Sequence, residues 1–192
     1  MVVTDIATPP TDLLAFEDDL AGGLLIDSDV QDLLFRQART PQHFTDAPVS
    51  EATMRSVFDL VKWGPTSRNG QPLRIVLVRS PQARARLLPH LTPRNQVKAE
   101  SAPLIALLAV DSDSEEAKNS GWLQAGYFLI GVRAAGLSAL PMGGFDRAGL
   151  DQEFFPDGNH RTLLVMGLGY ATAAAHLPRQ PRLDYDEVVS TV

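Results

Sequence analysis

Gly64-Pro65-Thr66-Ser67-Arg68-Asn69-Gly70-Gln71-Pro72 joins a helical pattern to a β-branched run. Upstream, Met54, Val57, Phe58 and Val61 recur at i, i+3, i+4 and i+7, which predicts an amphipathic helix opening at Ser50. Pro65 disfavours helix at the residue before it, so that helix stops near Gly64. Downstream, Arg74-Ile-Val-Leu-Val-Arg79 predicts a strand. The nine connecting residues hold four turn formers, and the other five carry hydrogen-bonding side chains. A loop this rich in donors and acceptors, fixed between rigid elements, is either an ordinary polar turn or a place where a polar ligand is held.

Working outward, Pro81 starts a helix through Leu87 and Leu88, and Leu104 to Val110 is a strand apolar on both faces, hence central. Asp111 to Lys118 reads as an acidic loop. Asn119 to Gly136 is a helix apolar nearly all round, which suits a core or a subunit interface. Ser138-Ala-Leu140 is a short strand leading to Pro141-Met142-Gly143-Gly144-Phe145, Leu163 to Gly169 is the last strand, and Asp184 to Val189 closes the chain. Toward the N-terminus, Ser28-x-x-Gln31 resembles a capping box for a helix running into Arg39. Strands and helices mix without regular alternation, so the fold class expected is α+β. Residues 1–28 read as an acidic arm, in which Leu13, Leu14, Phe16 and Leu20 suit one short helix. Residues 29–192 form the domain.

The chain has 192 residues, 17 Lys+Arg against 23 Asp+Glu, and no Cys. That excludes a disulfide framework, a thiolate nucleophile and Cys-based metal sites. A net charge of −6 argues against nucleic-acid binding. Eight of the acids lie in the first 35 residues, where there is no Lys or Arg, so the remainder holds 15 acids against 17 bases. Arg supplies 14 of those bases, and its planar fork suits phosphate. The longest apolar run, about nine residues from Ala102 to Val110, is about half a membrane span. No basic leader precedes it, so no membrane and a cytoplasmic address are expected.

His43, His90, His160 and His176 lack metal-ligand spacing, and neither a Gly-x-Ser-x-Gly elbow nor a P-loop is present. Gly167-Leu-Gly169-Tyr-Ala-Thr172 begins like a dinucleotide fingerprint, but too little chain follows for a βαβ unit. Close packing at a strand end is the better reading of those glycines. Arg39-Thr40 and Arg179 with Arg182 are candidate phosphate ligands. Gly143-Gly144 lets a flat ring approach the backbone, though each of these features alone is also an ordinary surface element.

Phe35-Arg-Gln-Ala-Arg39-Thr40, Lys62-Trp63-Gly64-Pro65-Thr66-Ser67-x-Asn69, Pro141-Met142-x-Gly144-Phe145-Asp146, Gly167-x-Gly169-Tyr170 and Pro181-Arg182-Leu183 occur in that order. With them the chain resembles the nitroreductase superfamily of FMN oxidoreductases from about Leu33 to Val189, nearest to the malonic semialdehyde reductase branch of pyrimidine breakdown. The resemblance implies a mixed, mainly antiparallel sheet flanked by helices, in an intertwined homodimer with FMN at the interface. It implies that Arg39, Thr40 and Gln42 hold the phosphate and ribityl chain, with Arg179 and Arg182 closing over the phosphate. Pro65, Thr66, Ser67 and Asn69 would reach the ring from the other subunit. Pro141, Met142, Gly143 and Gly144 would lie along it, and Asn95 would face its pyrimidine side.

Chemistry on FMN needs no catalytic side chain and no metal. The implied activity is ping-pong transfer from NADH or NADPH to a small acceptor: an aldehyde such as malonic semialdehyde, a quinone or a nitro compound. A flavin-cleaving enzyme or an FMN-sequestering module on the same fold is the alternative. Two departures stand out. Gln42 occupies a position usually basic in the family, and the stretch between Val110 and Asn119 is far shorter than in the pyrimidine-pathway branch.

Overall fold

The computed structural model describes residues 24–111 and 113–192. Most of the acidic arm, including its Leu13–Leu20 stretch, lies outside the described residues. The first elements are a short helix α1 (Ser28–Gln31) running into a π-helical turn at Asp32–Arg36, then α2 (Glu51–Val61) and β1 (Leu73–Val78). Next come α3 (Pro81–Leu87), α4 (Pro93–Glu100), β2 (Leu104–Val110) and α5 (Glu115–Ala134). The chain ends with β3 (Ser138–Met142), α6 (Arg147–Phe154), β4 (Arg161–Gly169) and α7 (Tyr185–Val188).

The strands form one sheet in the order β1-β2-β4-β3, with all three pairings antiparallel. Strand β2 is buried along its whole length, as its unbroken apolar sequence predicts. Leu104, Ala106, Leu108 and Val110 face one cluster, packed with Met54 and Val57 of α2 and Ala125, Phe128 and Val132 of α5. Ile105, Leu107 and Ala109 face the other, with Leu87 of α3, Ala99 of α4 and Leu150 of α6. Helices therefore cover both faces of an α+β sheet. Pro141 lies in edge strand β3 opposite Met166, where a missing N–H is tolerated.

Two glycines let α5 approach its neighbours. A Cβ on Gly121 would stand 2.3 Å from Val110 Cγ1, and one on Gly131 would stand 2.2 Å from Val61 Cγ1. Gly167 and Gly169 are packing residues too: a Cβ on Gly169 would meet Pro103 Cδ at 2.6 Å and Phe44 Cδ1 at 2.9 Å.

Helix α6 is tied to the sheet by Asp151, whose Oδ1 accepts from Thr162 N–H at 2.8 Å and from its hydroxyl at 2.6 Å. Thr162 is fully buried. Asp151→Ala strands both donors, so it should destabilise the fold by about 1–3 kcal/mol in urea titrations. An unchanged midpoint would contradict this account.

The helix at Ser50 starts as expected, with its hydroxyl accepting from Thr53 N–H. Other local expectations need correction. Asp27, not Ser28, is the N-cap of α1, and Gln31 donates to Ile26 O instead of closing a capping box. The π-helical turn then ends at Arg36, short of Arg39. The acidic loop is also shorter than expected. Ser114 caps α5 by accepting from Ala117 N–H, and Glu115 and Glu116 form its first turn, where the positive helix end favours carboxylates. The sequence pattern predicts neither α4 nor α6; both are short and polar. Among the described residues no helix is long and apolar enough to cross a membrane.

Candidate functional site

Arg39, Thr40 and Gln42 follow the π-helical turn, and Arg179 and Arg182 lie on the tail beyond β4. Backbone contacts bring the two stretches together: Pro41 bridges His176, Gln42 N–H donates to Ala175 O at 2.8 Å, and Thr45 N–H donates to Tyr170 O. The five side chains line one cavity of about 320 Å³. Arg133, from the last turn of α5, lines it as well.

Among the described residues the four guanidiniums donate only to main-chain carbonyls. Arg39 reaches Leu177 O at 3.1 Å and Arg133 reaches Leu34 O at 3.1 Å. Arg179 reaches Ala38 O and Arg36 O, and Arg182 reaches Gln180 O and Pro181 O. Among the described residues none of the four pairs with a carboxylate. Burial, and then the like charge of Arg179, push the Arg133 guanidinium below its ordinary pKa. The cavity holds an excess of positive charge that an external anion would offset.

Strand β3 leads away from this cavity. Ser138, at its start, lines an adjoining cavity of about 200 Å³ that shares Arg39 and Arg133. Gly143 lies roughly 15 Å further along the extended chain. A Cβ on Gly143 would meet nothing within 4 Å, which leaves open approach to the backbone there. On Gly144 it would meet Thr92 Oγ1 at 2.9 Å and Asn95 Nδ2 at 3.0 Å. Asn95 donates to Gly144 O at 3.0 Å, as does Thr92 N–H, so Asn95 and the glycine pair form one cluster. Met142 is only 2% exposed, within the core beneath β3, so its side chain is committed to packing.

The loop 65–69 lies elsewhere. Arg68, Asn69 and Gln71 take positive φ of 49°, 57° and 47°. Gln71 N–H donates to Thr66 Oγ1, and the Gln71 side chain donates to Asn69 O. Early α5 residues anchor the loop: Ser120 Oγ accepts from Ser67 N–H at 3.1 Å, and Glu116 accepts from the Ser67 hydroxyl at 2.6 Å. Arg133 stands 13 positions beyond Ser120, roughly 20 Å along the helix at 1.5 Å per residue. A single chain therefore does not bring Pro65, Thr66, Ser67 and Asn69 to the arginine cavity.

Between those ends α5 shows an apolar outer face. Trp122 and Leu123 are 48% and 47% exposed, and with Phe35, Gly126, Tyr127 and Ile130 they line a shallow groove. The helix expected to be apolar all round is thus buried on one side and open on the other.

Sequence reasoning missed Arg133, Thr92, Ser120 and Glu116. Arg133 had a signal, being the single basic residue in an otherwise apolar helical stretch. It reads there as a cation favoured by the negative helix end. Among the described residues no three His, Asp or Glu side chains could hold a metal ion.

The nitroreductase family pattern matches residues 35–131. A Streptomyces griseus protein named "Putative NADH dehydrogenase/NAD(P)H nitroreductase" is 44% identical over 195 residues, covering 88% of this chain and 99% of that one. A Streptomyces coelicolor protein bearing the same name matches at the same identity and coverage. A chain from Exiguobacterium sibiricum, solved in complex with FMN, shares the fold with a TM-score of 0.77 at 16% identity, covering 86% of this chain and 98% of that one.

Proposed function

Because the chain belongs to the nitroreductase family, we propose that it is an NAD(P)H-dependent FMN oxidoreductase that reduces a small acceptor and works as a homodimer. One observation carries this reading: four guanidiniums that pair with no carboxylate among the described residues line one cavity, and β3 leads from there to the open backbone at Gly143. That layout fits a ligand with a phosphate at one end and a flat ring at the other. Arg39, Thr40, Gln42, Arg179 and Arg182 hold the phosphate and the chain next to it. Pro141 and the backbone of Met142, Gly143 and Gly144 flank the ring, with Asn95 beside them. When bound, FMN supplies the two-electron chemistry between NAD(P)H and the acceptor. The protein's part is to anchor the anion, exclude water along β3 and direct backbone donors at the ring edge.

Pro65, Thr66, Ser67 and Asn69 complete the site from a second copy, because within one chain α5 holds them far from the arginines. The apolar outer face of α5 supplies the contact between copies. The acceptor is a small aldehyde such as malonic semialdehyde, a quinone or a nitro compound. Residues 1–28 are assigned to an acidic arm outside this domain, and the location to the cytoplasm.

The purified protein should take up FMN and turn yellow, bleach with NADH or NADPH, and recover colour with one of those acceptors. Protein that refuses FMN would overturn the reading; a yellow protein that oxidises neither nucleotide would favour a sequestering module. Arg182→Ala removes one charge-assisted donor, so the FMN Kd should rise by about tenfold or more in fluorescence titrations. Unchanged FMN retention would remove the C-terminal arginine from the site.

A further inference from the structure

We propose that Arg133 is a further residue by which this site selects a phosphorylated flavin over an unphosphorylated one, standing in the cavity with neutral Gln42. The proposal rests on the flavin reading above.

Arg133 differs from the other three arginines in how it is held. Arg39 lies on an irregular stretch, and Arg179 and Arg182 lie on an exposed tail. Arg133 projects from α5, next to fully buried Val132 and two positions after Gly131, which packs against Val61. Its backbone is therefore fixed before any ligand arrives, and its half-buried side chain, like that of Arg39, forms wall in both adjoining cavities. Guanidinium has five N–H donors, and Leu34 O is the one acceptor it reaches among the described residues. A charge held this way, partly out of water, acts more strongly on an incoming anion than an exposed one.

The lowered pKa of Arg133 agrees, since burial and Arg179 both disfavour its charge until an anion is present. Guanidinium still remains protonated at neutral pH. Gln42 lines the same cavity, with its backbone fixed by Ala175 O, yet contributes no charge. A cation placed at position 42 therefore enters the same cavity from another strand of chain.

The test compares FMN with riboflavin, which lacks the phosphate, by fluorescence titration of flavin-free protein. Arg133→Gln should raise the FMN Kd by roughly tenfold to a hundredfold while leaving riboflavin binding unchanged. Gln42→Lys added to Arg133→Gln should restore most of the FMN affinity. Gln42→Glu leaves the Arg133–Leu34 bond intact but offsets the charge, so it should weaken FMN binding even where Arg133→Gln folds poorly. Equal losses for both flavins would mean that Arg133 merely props up the Leu34 segment, and would overturn the proposal. So would unchanged FMN affinity in a folded Arg133→Gln, unchanged FMN affinity in Gln42→Glu where Arg133→Gln does not fold, or a wild type that binds the two flavins equally. A wild type that binds neither flavin would instead overturn the functional reading itself, and this inference with it.

Discussion

Trp122→Asp combined with Leu123→Asp should yield a folded monomer that no longer retains flavin. Both side chains are about half exposed in the single chain, so carboxylates there remain in water and cost the isolated fold little. In a dimer joined through the outer face of α5 the same carboxylates would be buried without partners, at several kcal/mol per ion. That outweighs what two apolar side chains contribute by burial, about 1.5–3 kcal/mol each. Flavin should be lost together with the dimer. The arginine cavity would survive in each monomer, but the loop 65–69 of the second copy would be gone. Sedimentation velocity and flavin absorbance, measured on the same sample, make the check. A dimer that persists, or a monomer that stays yellow, would show that this face does not join the copies.

Gly131→Leu should be the most damaging single change in the core. Its Cβ would already stand 2.2 Å from Val61 Cγ1 and 3.7 Å from Val57 O, with three further carbons to place. Removing a helical glycine gains about 1 kcal/mol in propensity. Overpacking typically costs 1–3 kcal/mol, and a contact this close belongs at or beyond the upper end of about 3. For a chain of this size each kcal/mol lowers Tm by about 2–4 °C. Val61→Ala deletes the obstructing methyl group, so combined with Gly131→Ala it should be clearly less harmful than the two changes summed. Strict additivity in thermal melts would show that α2 and α5 do not meet there.

Elements governed by a single strong local rule were legible from sequence. Ser50 had a hydroxyl ahead of a clean apolar period, and β2 had seven apolar residues in a row; both appear where expected. The errors arose where one residue type serves two purposes. Acids at 115 and 116 read as loop because acids favour solvent, yet they also favour the first turn of a helix, and α5 begins with them. Ser28 and Gln31 had capping spacing, but Asp27 took the cap. Helices α4 and α6 are held by tertiary contacts of Ala99 and Leu150, which no period over eight residues reveals.

In the site, Arg39, Thr40, Gln42, Arg179 and Arg182 were legible as candidates because such residues on irregular chain have few structural duties. Their convergence was not, since it depends on Pro41–Thr45 running beside Tyr170–His176. Arg133 carries no such irregular-chain signal, because it sits on a helix whose neighbouring residues are apolar. A cation on such a background is easily assigned to the helix end alone.

The left-handed turn at Arg68, Asn69 and Gln71 has a thermodynamic consequence. Each such residue without glycine's freedom costs of order 1–3 kcal/mol, and that cost falls on folding, where core burial offsets it. A loop already set in shape surrenders little further entropy when a ligand arrives. The chain thus gives up some global stability to hold in one shape the loop proposed above to meet the flavin. Glycine at Arg68 would shift that balance back, giving a sturdier protein with a looser grip.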